Sequence, residues 1–432
     1  ADVAMELMDH GLLFESEVEH RGAGGPVYSS VDPLGLHIEI TNACNMTCSH
    51  CYVSSGRKMP NELTVDEIKS TLDMVPAFSG KRIAISGGEP AARRECGDIV
   101  EYAAVSLGHD VDLYTNGKKF PERLLQRVVR INRLGLGTVR LQMSLEGATA
   151  EINDKVRGRG SFDEAMKSLK RFHEAGLGQK VTLFVCITKA NLHQIDDILR
   201  IGEDHDVGMI VFSQWQRQGN ASGTPWAWIA PSVEEWVEAG EKILAYGNPR
   251  MLVFGNFFGD LNNDAFGRYC LNSNRFPKHI YGYNVVPRVT PQGDVFADQL
   301  WVDESWILGN VRHQTLEECF NSPKYHEQLD SFRRRSAVIP ECRSCEWKLL
   351  CEGGSPGHTY AEFGHVNERD LFCESRIYWF ERFVETKIAH AFGTAPRLVV
   401  PKPSDRLMGN VESLPPIPPT KPQAANVALV AS

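Results

Sequence analysis

The chain has 432 residues, 42% of them hydrophobic and 23% charged, a balance that excludes a disordered or fibrous protein over most of its length. Its formal net charge of -9 argues against nucleic-acid binding, which needs a basic surface, and the run Arg333-Arg334-Arg335 is too short to change that. No stretch reaches the ~18 apolar residues of a membrane span, and the first residues lack the basic start of a secretory signal, so a cytoplasmic protein is expected.

Residues 1–35 carry no pattern beyond a short helical stretch, Val3 to Leu12, and read as an N-terminal extension. From about 36 to 215, short apolar runs alternate with amphipathic stretches, the pattern of βα units around a parallel sheet. The predicted strands are Leu36–Ile40, Arg82–Ser86, Val111–Tyr114, Val139–Ser144, Val181–Val185 and Met209–Phe212. Helices are predicted from Thr64 to Met74 and from Ser161 to Ala175, each opening on a hydroxyl N-cap with a carboxylate three residues on. These elements predict an α/β fold, a partial (β/α)6 TIM-like barrel over residues 36–235, with its site at the C-terminal ends of the strands. Beyond 250 the βα rhythm stops and glycines and aromatics become frequent, so a smaller C-terminal α+β domain is expected over 236–395. Residues 396–432, with Pro-Pro-Ile-Pro-Pro-Thr-Lys-Pro, read as a Pro-rich flexible tail.

Eleven cysteines in a chain expected to be cytosolic argue for metal ligation over disulfides. Cys44, Cys48 and Cys51 directly follow the first strand. Three thiolates from one loop suit a 4Fe-4S cluster with one iron left open for an exogenous ligand. A zinc site with a further Cys or His, or a redox Cys-x-x-Cys pair, are the alternatives; His50 is a poor fourth ligand. Cys342, Cys345 and Cys351, with Cys373 further on, have the spacing of a second metal site, for which a zinc ribbon is the alternative. Cys96, Cys186, Cys270 and Cys319 are isolated, and such a cysteine is most often a small buried hydrophobe.

The Cys44 to Cys51 loop resembles the signature of the radical SAM superfamily, with His50 at its aromatic-type position, and the resemblance extends over roughly residues 36–220. It implies S-adenosyl-L-methionine as cofactor, cleaved by the cluster to a 5'-deoxyadenosyl radical that takes a hydrogen from substrate. Ser86-Gly87-Gly88-Glu89-Pro90 is similar to the family's glycine-rich turn: Gly87 and Gly88 would let the backbone approach the methionine part of the cofactor, and Glu89 would pair with its ammonium. Tyr114-Thr115-Asn116-Gly117 resembles the turn after the third strand. Ser144-Leu-Glu146-Gly147 looks like the ribose and carboxylate contact, and Arg157 like the arginine that meets the cofactor carboxylate.

Residues 265–380 resemble the SPASM extension, with Pro291-Gln-Gly293-Asp-Val-Phe296 as its hairpin and the second cysteine run as its auxiliary-cluster loop. Two auxiliary clusters are usual in that family, but Asp298 and Ser355 stand where cysteines are expected. One auxiliary 4Fe-4S cluster, held by Cys342, Cys345, Cys351 and Cys373, is therefore expected. Cys270 is either a buried remnant of the missing site or a hydrogen donor to a substrate radical.

A fully liganded auxiliary cluster cannot bind substrate, so electron transfer and a net oxidation are expected: a crosslink, dehydrogenation or decarboxylation of a ribosomal peptide natural-product precursor. The alternative is tailoring of a small metabolite such as a sugar, nucleoside or tetrapyrrole by dehydrogenation, epimerisation or side-chain removal. Against a peptide, 35 residues before the barrel are too few for a peptide-recognition module. Trp215, Trp226, Trp228 and Trp236 form a substrate-stacking wall or, more commonly, core packing. The remaining expected partner is a flavodoxin- or ferredoxin-type reductant. An electron carrier that never cleaves the cofactor would leave the Gly-Gly-Glu and Ser-Leu-Glu motifs without use.

Overall fold

A computed structural model of the chain describes residues 35–75, 82–224, 229–255, 286–297, 299–351 and 353–392. Its body is seven parallel strands: β1 (Gly35–Glu39), β2 (Arg82–Ser86), β3 (Asp110–Thr115), β4 (Val139–Ser144), β5 (Val181–Ile187), β6 (Met209–Gln214) and β7 (Leu252–Gly255). Side chains alternate across this sheet. Ile83, Ile85, Val111, Leu113, Leu141 and Leu183 are fully buried, and the other face carries Glu39, Asp112, Tyr114, Gln142 and Thr182, in register across the strands. The polar face is what a barrel that encloses a site needs, and the apolar face what a layer of helices needs.

All six strands expected from the sequence are present, and β7 adds a seventh, preceded by the helix Val233–Ala245. The boundary expected at residue 235 therefore falls inside a βα unit. Leu252–Gly255 spans only four residues, too few for periodicity to declare a strand.

The helix Val65–Asp73 is closed by the expected capping box: Thr64 N donates to Glu67 Oε2 at 2.7 Å and Glu67 N to Thr64 Oγ1 at 3.2 Å. The helix Ser161–Glu174 departs from expectation. Its N-cap is Gly160, at φ +77°, and Ser161 is the first helical residue. Asp154 takes over the capping role, accepting from Gly160 N at 2.6 Å and Phe162 N at 2.9 Å, so no Ser161 cap is required.

The C-terminal region joins the same sheet. β8 (Arg288–Val289) pairs in parallel with β1, β9 (Asp294–Phe296) returns antiparallel as the expected hairpin, and β10 (Gly309–Asn310) follows. The order is β10-β9-β8-β1-β2-β3-β4-β5-β6-β7, an open sheet rather than a closed ring. A buried ion pair crosses the seam: Arg288 donates to both Glu39 oxygens, at 2.9 and 3.0 Å, and to Trp301 O at 2.7 Å. On the far side the helix Cys373–Phe392 lies against Val233–Ala245, with Tyr378 Oη donating to Glu241 at 2.9 Å. Among the described residues, no helix is long and apolar enough to cross a membrane. The N-terminal extension up to residue 34 and the Pro-rich tail lie outside the described residues.

Candidate active site

The chain leaves β1 into a loop that delivers Cys44, Cys48 and Cys51 at the C-terminal end of the sheet. Three neighbours fix this loop. Cys44 N donates to Gly56 O at 2.8 Å. The turn after β2 is stitched to it by Gly88 N to Thr41 O at 2.7 Å and Glu89 N to Ala43 O at 2.8 Å. The segment after β6 closes over it: Asn220 N donates to Cys51 O and Asn220 Nδ2 to Cys48 O, both at 2.9 Å.

The sulfurs sit among N–H donors and are partly shielded from water. Asn116 Nδ2 lies 3.7 Å from Cys44 Sγ and Ser55 N 3.3 Å from Cys51 Sγ. Burial, reinforced by Glu89, pushes the Cys44 thiol up to about 11. Burial raises Cys48 too, with Arg157 opposing. Three convergent thiols, two of them raised by burial and Cys44 and Cys51 facing N–H groups, suit a cationic iron centre that displaces their protons.

Glu89 is 2% exposed. It accepts from Thr115 Oγ1 at 2.9 Å, Asn116 N at 2.7 Å and Ala91 N at 3.2 Å. Burial outweighs these donors and pushes its carboxyl up to about 7, so a cationic partner is what would settle its charge. Asn116 also bonds Asn45 Oδ1 at 2.8 Å, tying this turn to the cysteine loop. Gly87 and Gly88 have a role beyond the expected cofactor approach. A Cβ at Gly88 would sit 2.5 Å from Asn42 O, and one at Gly87, at φ +136°, would strike Thr41 O; both glycines let the turn press against the cysteine loop.

Across the mouth, Glu146 accepts from Arg157 Nη1 at 3.0 Å and Cys186 N at 2.9 Å, and lies 3.2 Å from His50 Nε2. Burial opposes its ionisation, but His50 and Arg157 together hold its carboxyl below the ordinary range. His50 packs on the Trp215 ring at 5.2 Å, and its Nδ1 is buried without a partner. Ser144 ends β4 two residues before Glu146.

The second cysteine set converges as its spacing predicted. Cys342, Cys345, Cys351 and Cys373 line one cavity with Lys348, Arg369, Asp370 and Arg376. Arg376 Nη1 is 3.8 Å from Cys351 Sγ, and burial raises the Cys373 thiol against the pull of Arg369. Four convergent thiols ringed by guanidinium groups fit an anionic thiolate-ligated cluster. Ser355 lies outside this set: it caps the helix Pro356–Phe363, accepting from His358 N at 3.2 Å.

Cys96 and Cys319 are buried apolar residues, as expected of isolated cysteines. Cys186 is not: its sulfur shares a group with His50 and Glu146, whose ligand atoms lie within 4.8 Å of one another. Only its place at the end of β5 hinted at this. Asn191, which bonds Glu146 O at 3.0 Å and Cys186 O at 2.8 Å, and Asn153, which holds Glu146 N at 2.8 Å, carried no sequence signal. Trp236 packs edge-on against Phe372 at 5.8 Å, an interface role, while Trp215 belongs to the site. Cys270, Asp298, Trp226 and Trp228 lie outside the described residues.

Residues 38–201 match the Radical SAM superfamily and residues 286–346 the SPASM iron-sulfur cluster-binding domain. Together these matches span more than half of the chain. The mycofactocin maturase MftC of Mycolicibacterium smegmatis is 28% identical over 329 residues, 74% of this chain and 78% of that protein. The Fe-coproporphyrin III synthase of Methanosarcina barkeri is 28% identical over 361 residues, 77% of this chain and 86% of that protein. The crystal structure of Streptococcus suis SuiB bound to S-adenosylmethionine superposes with a TM-score of 0.63 at 17% identity, covering 79% of this chain and 77% of that one, a likeness of fold. The chain thus carries a Radical SAM domain followed by a SPASM domain, and is an enzyme that uses S-adenosylmethionine and a 4Fe-4S cluster and binds an auxiliary iron-sulfur cluster in the SPASM domain.

Proposed function

We propose that this enzyme carries out an oxidative modification, a crosslink, dehydrogenation or decarboxylation, on a ribosomal peptide precursor. The observation that carries this reading is the second cysteine set. All four of its thiols face one cavity, so an auxiliary cluster held by them would have no open iron for substrate and would supply a one-electron acceptor. A site that removes an electron after hydrogen abstraction gives a net oxidation. The relative over most of both chains that is a maturase supports the peptide as substrate.

Cys44, Cys48 and Cys51 hold the first cluster, which with S-adenosylmethionine supplies a 5'-deoxyadenosyl radical. Glu89, oriented by Thr115 and Asn116, receives the cofactor ammonium. Arg157 would meet its carboxylate, Ser144 and Glu146 would contact its ribose, and His50 with Trp215 would shield it from water. Cys270 is proposed as a hydrogen donor; unchanged product stereochemistry in Cys270→Ala would exclude that.

A second reading, tailoring of a tetrapyrrole, is favoured by the equally identical Fe-coproporphyrin III synthase. Anaerobic reconstitution tests both. Wild type is expected to hold about eight irons per chain, and Cys44→Ala/Cys48→Ala/Cys51→Ala about four, with 5'-deoxyadenosine released by wild type alone. A precursor peptide encoded beside the gene and iron-coproporphyrin III are then offered separately. A mass change confined to the porphyrin would replace the first reading by the second, and about four irons in wild type would remove the auxiliary electron acceptor.

A further inference from the structure

The start of the cysteine loop is held by a carboxylate that lies beyond the loop's own end. Glu62 Oε1 accepts from Asn42 N and Met59 N, both at 2.9 Å, and its Oε2 accepts from Thr41 Oγ1 at 3.0 Å. One side chain thus ties the entry of the loop to the segment that leaves it. Thr41 Oγ1 in turn accepts from Ala43 N at 3.1 Å. The carbonyls of Thr41 and Ala43 are the ones that receive Gly88 N and Glu89 N, so the turn that carries Glu89 hangs from the stretch that Glu62 fixes.

The segment bearing Glu62 is gripped from its other side by the SPASM hairpin. Leu63 N donates to Pro291 O at 2.7 Å, and Gln292 Nε2 to Pro60 O at 3.0 Å. Arg312, just past β10, reaches across both. Its Nη1 donates to Gln292 O at 3.0 Å, its Nη2 to Asn61 O at 3.1 Å and its Nε to Glu67 Oε1 at 2.6 Å. Asn61 turns the chain at φ +58°, in the left-handed region that asparagine tolerates better than most side chains, so its carbonyl is offered by a tight turn. An exposed Arg–Glu pair alone contributes little. Here the planar fork adds two backbone carbonyls to the carboxylate, and the Arg312 side chain is only 27% exposed.

We propose that residues 59–67 are a brace through which the SPASM hairpin sets the affinity for S-adenosylmethionine, with Arg312 and Glu62 as its two positioning residues. The links are Arg312 to Asn61 O, Glu62 to Asn42 N, and Ala43 O to Glu89 N. The proposal rests on Glu89 as the receiver of the cofactor ammonium. With the brace loosened, Glu89 leaves its register with the cysteines, and the cofactor must restore that register as it binds. Affinity then falls while the bound complex is unchanged.

The test titrates the cluster-reconstituted enzyme with S-adenosylmethionine by calorimetry, without reductant. Glu62→Ala and Arg312→Ala are each expected to weaken binding about three- to tenfold, as coupling through packed contacts does. The double variant falls no further than Glu62→Ala alone, because both act along one path. Glu62→Gln, whose amide oxygen can accept from the same two backbone N–H groups, restores wild-type binding. In 5'-deoxyadenosine formation the KM for the cofactor rises and kcat holds. Hydrogen exchange over residues 40–56 quickens in Arg312→Ala without cofactor, and this surface variant alone decides the matter if Glu62→Ala loses iron. Additive losses, unchanged exchange, or an equal loss of affinity in Arg130→Ala, which breaks an exposed pair with Glu101, overturns the brace. Undiminished cofactor binding in Glu89→Gln would instead remove the Glu89 reading, and the exchange measurement still judges the brace.

Discussion

Replacing Gly219 by Ala adds one methyl group where the segment after β6 closes over the cysteine loop. Gly219 adopts φ +55°, which costs an alanine ~1 kcal/mol before any contact is counted. The larger effect is steric. Its Cβ would stand 2.5 Å from Tyr52 O and closer still to Cys51 O. Real Cβ contacts keep beyond 3.0 Å, so the Cys51 carbonyl must retreat by half an ångström or more, and Asn220, bonded to Cys51 O and Cys48 O, moves with it. Iron–sulfur bonds tolerate no such spread between ligands, so the first cluster is expected to be lost or labile while the second, far along the chain, is kept. Iron and sulfide analysis with EPR reads this directly: about four irons per chain in Gly219→Ala against about eight in wild type, with the auxiliary signal unchanged as internal proof of folding. A full iron complement with unchanged 5'-deoxyadenosine release would refute the claim that this contact sets the ligand geometry.

Arg369→Gln removes a guanidinium that faces Cys373 without leaving a deeply buried charge unpaired. The auxiliary cluster's midpoint potential is expected to fall by tens of millivolts, measured by EPR-monitored titration in the Cys44→Ala/Cys48→Ala/Cys51→Ala background; an unchanged potential would deny the arginines a tuning role. Glu89, pushed up to about 7 from its usual 4.5, binds its proton more tightly in the folded state. Its contribution to stability is therefore full below pH 4.5 and is lost as pH rises through 7, by ~3 kcal/mol in all. Glu89→Gln, a neutral stand-in, should gain on wild type by that order between pH 5 and pH 8 in urea unfolding; parallel curves would contradict the assigned protonation.

The two cysteine sets, the six strands and the Thr64 cap were legible because each is written within a few residues: a spacing, an alternation, a capping box. What the sequence hid depends on partners far along the chain. The parallel pairing of β8 with β1 joins residues 37 and 288, and a two-residue strand has no period to detect. Cys186 reads as an isolated hydrophobe until β4 and β5 lie side by side and bring Glu146 to its backbone N. Ser161 satisfied the local rule for a cap, and the fold overrode it because Asp154 already supplied the acceptors. The glycines of the turn after β2 also let that turn lie against the cysteine loop, whose backbone atoms are nearest to where their side chains would stand, a contact between segments that no local pattern announces.

β1 is hydrogen-bonded on both sides, by β2 and by β8, and His37 N donates to Pro287 O at 2.8 Å. Cut the chain at residue 235 and that second flank is stripped bare, leaving a strand with fully buried Leu36 and Ile38 as an open edge that invites pairing with other molecules. The same feature bears on synthesis: Glu39 waits 249 residues for Arg288, so a nascent barrel emerges from the ribosome unfinished and sticky, and must be shielded until the far end of the chain arrives.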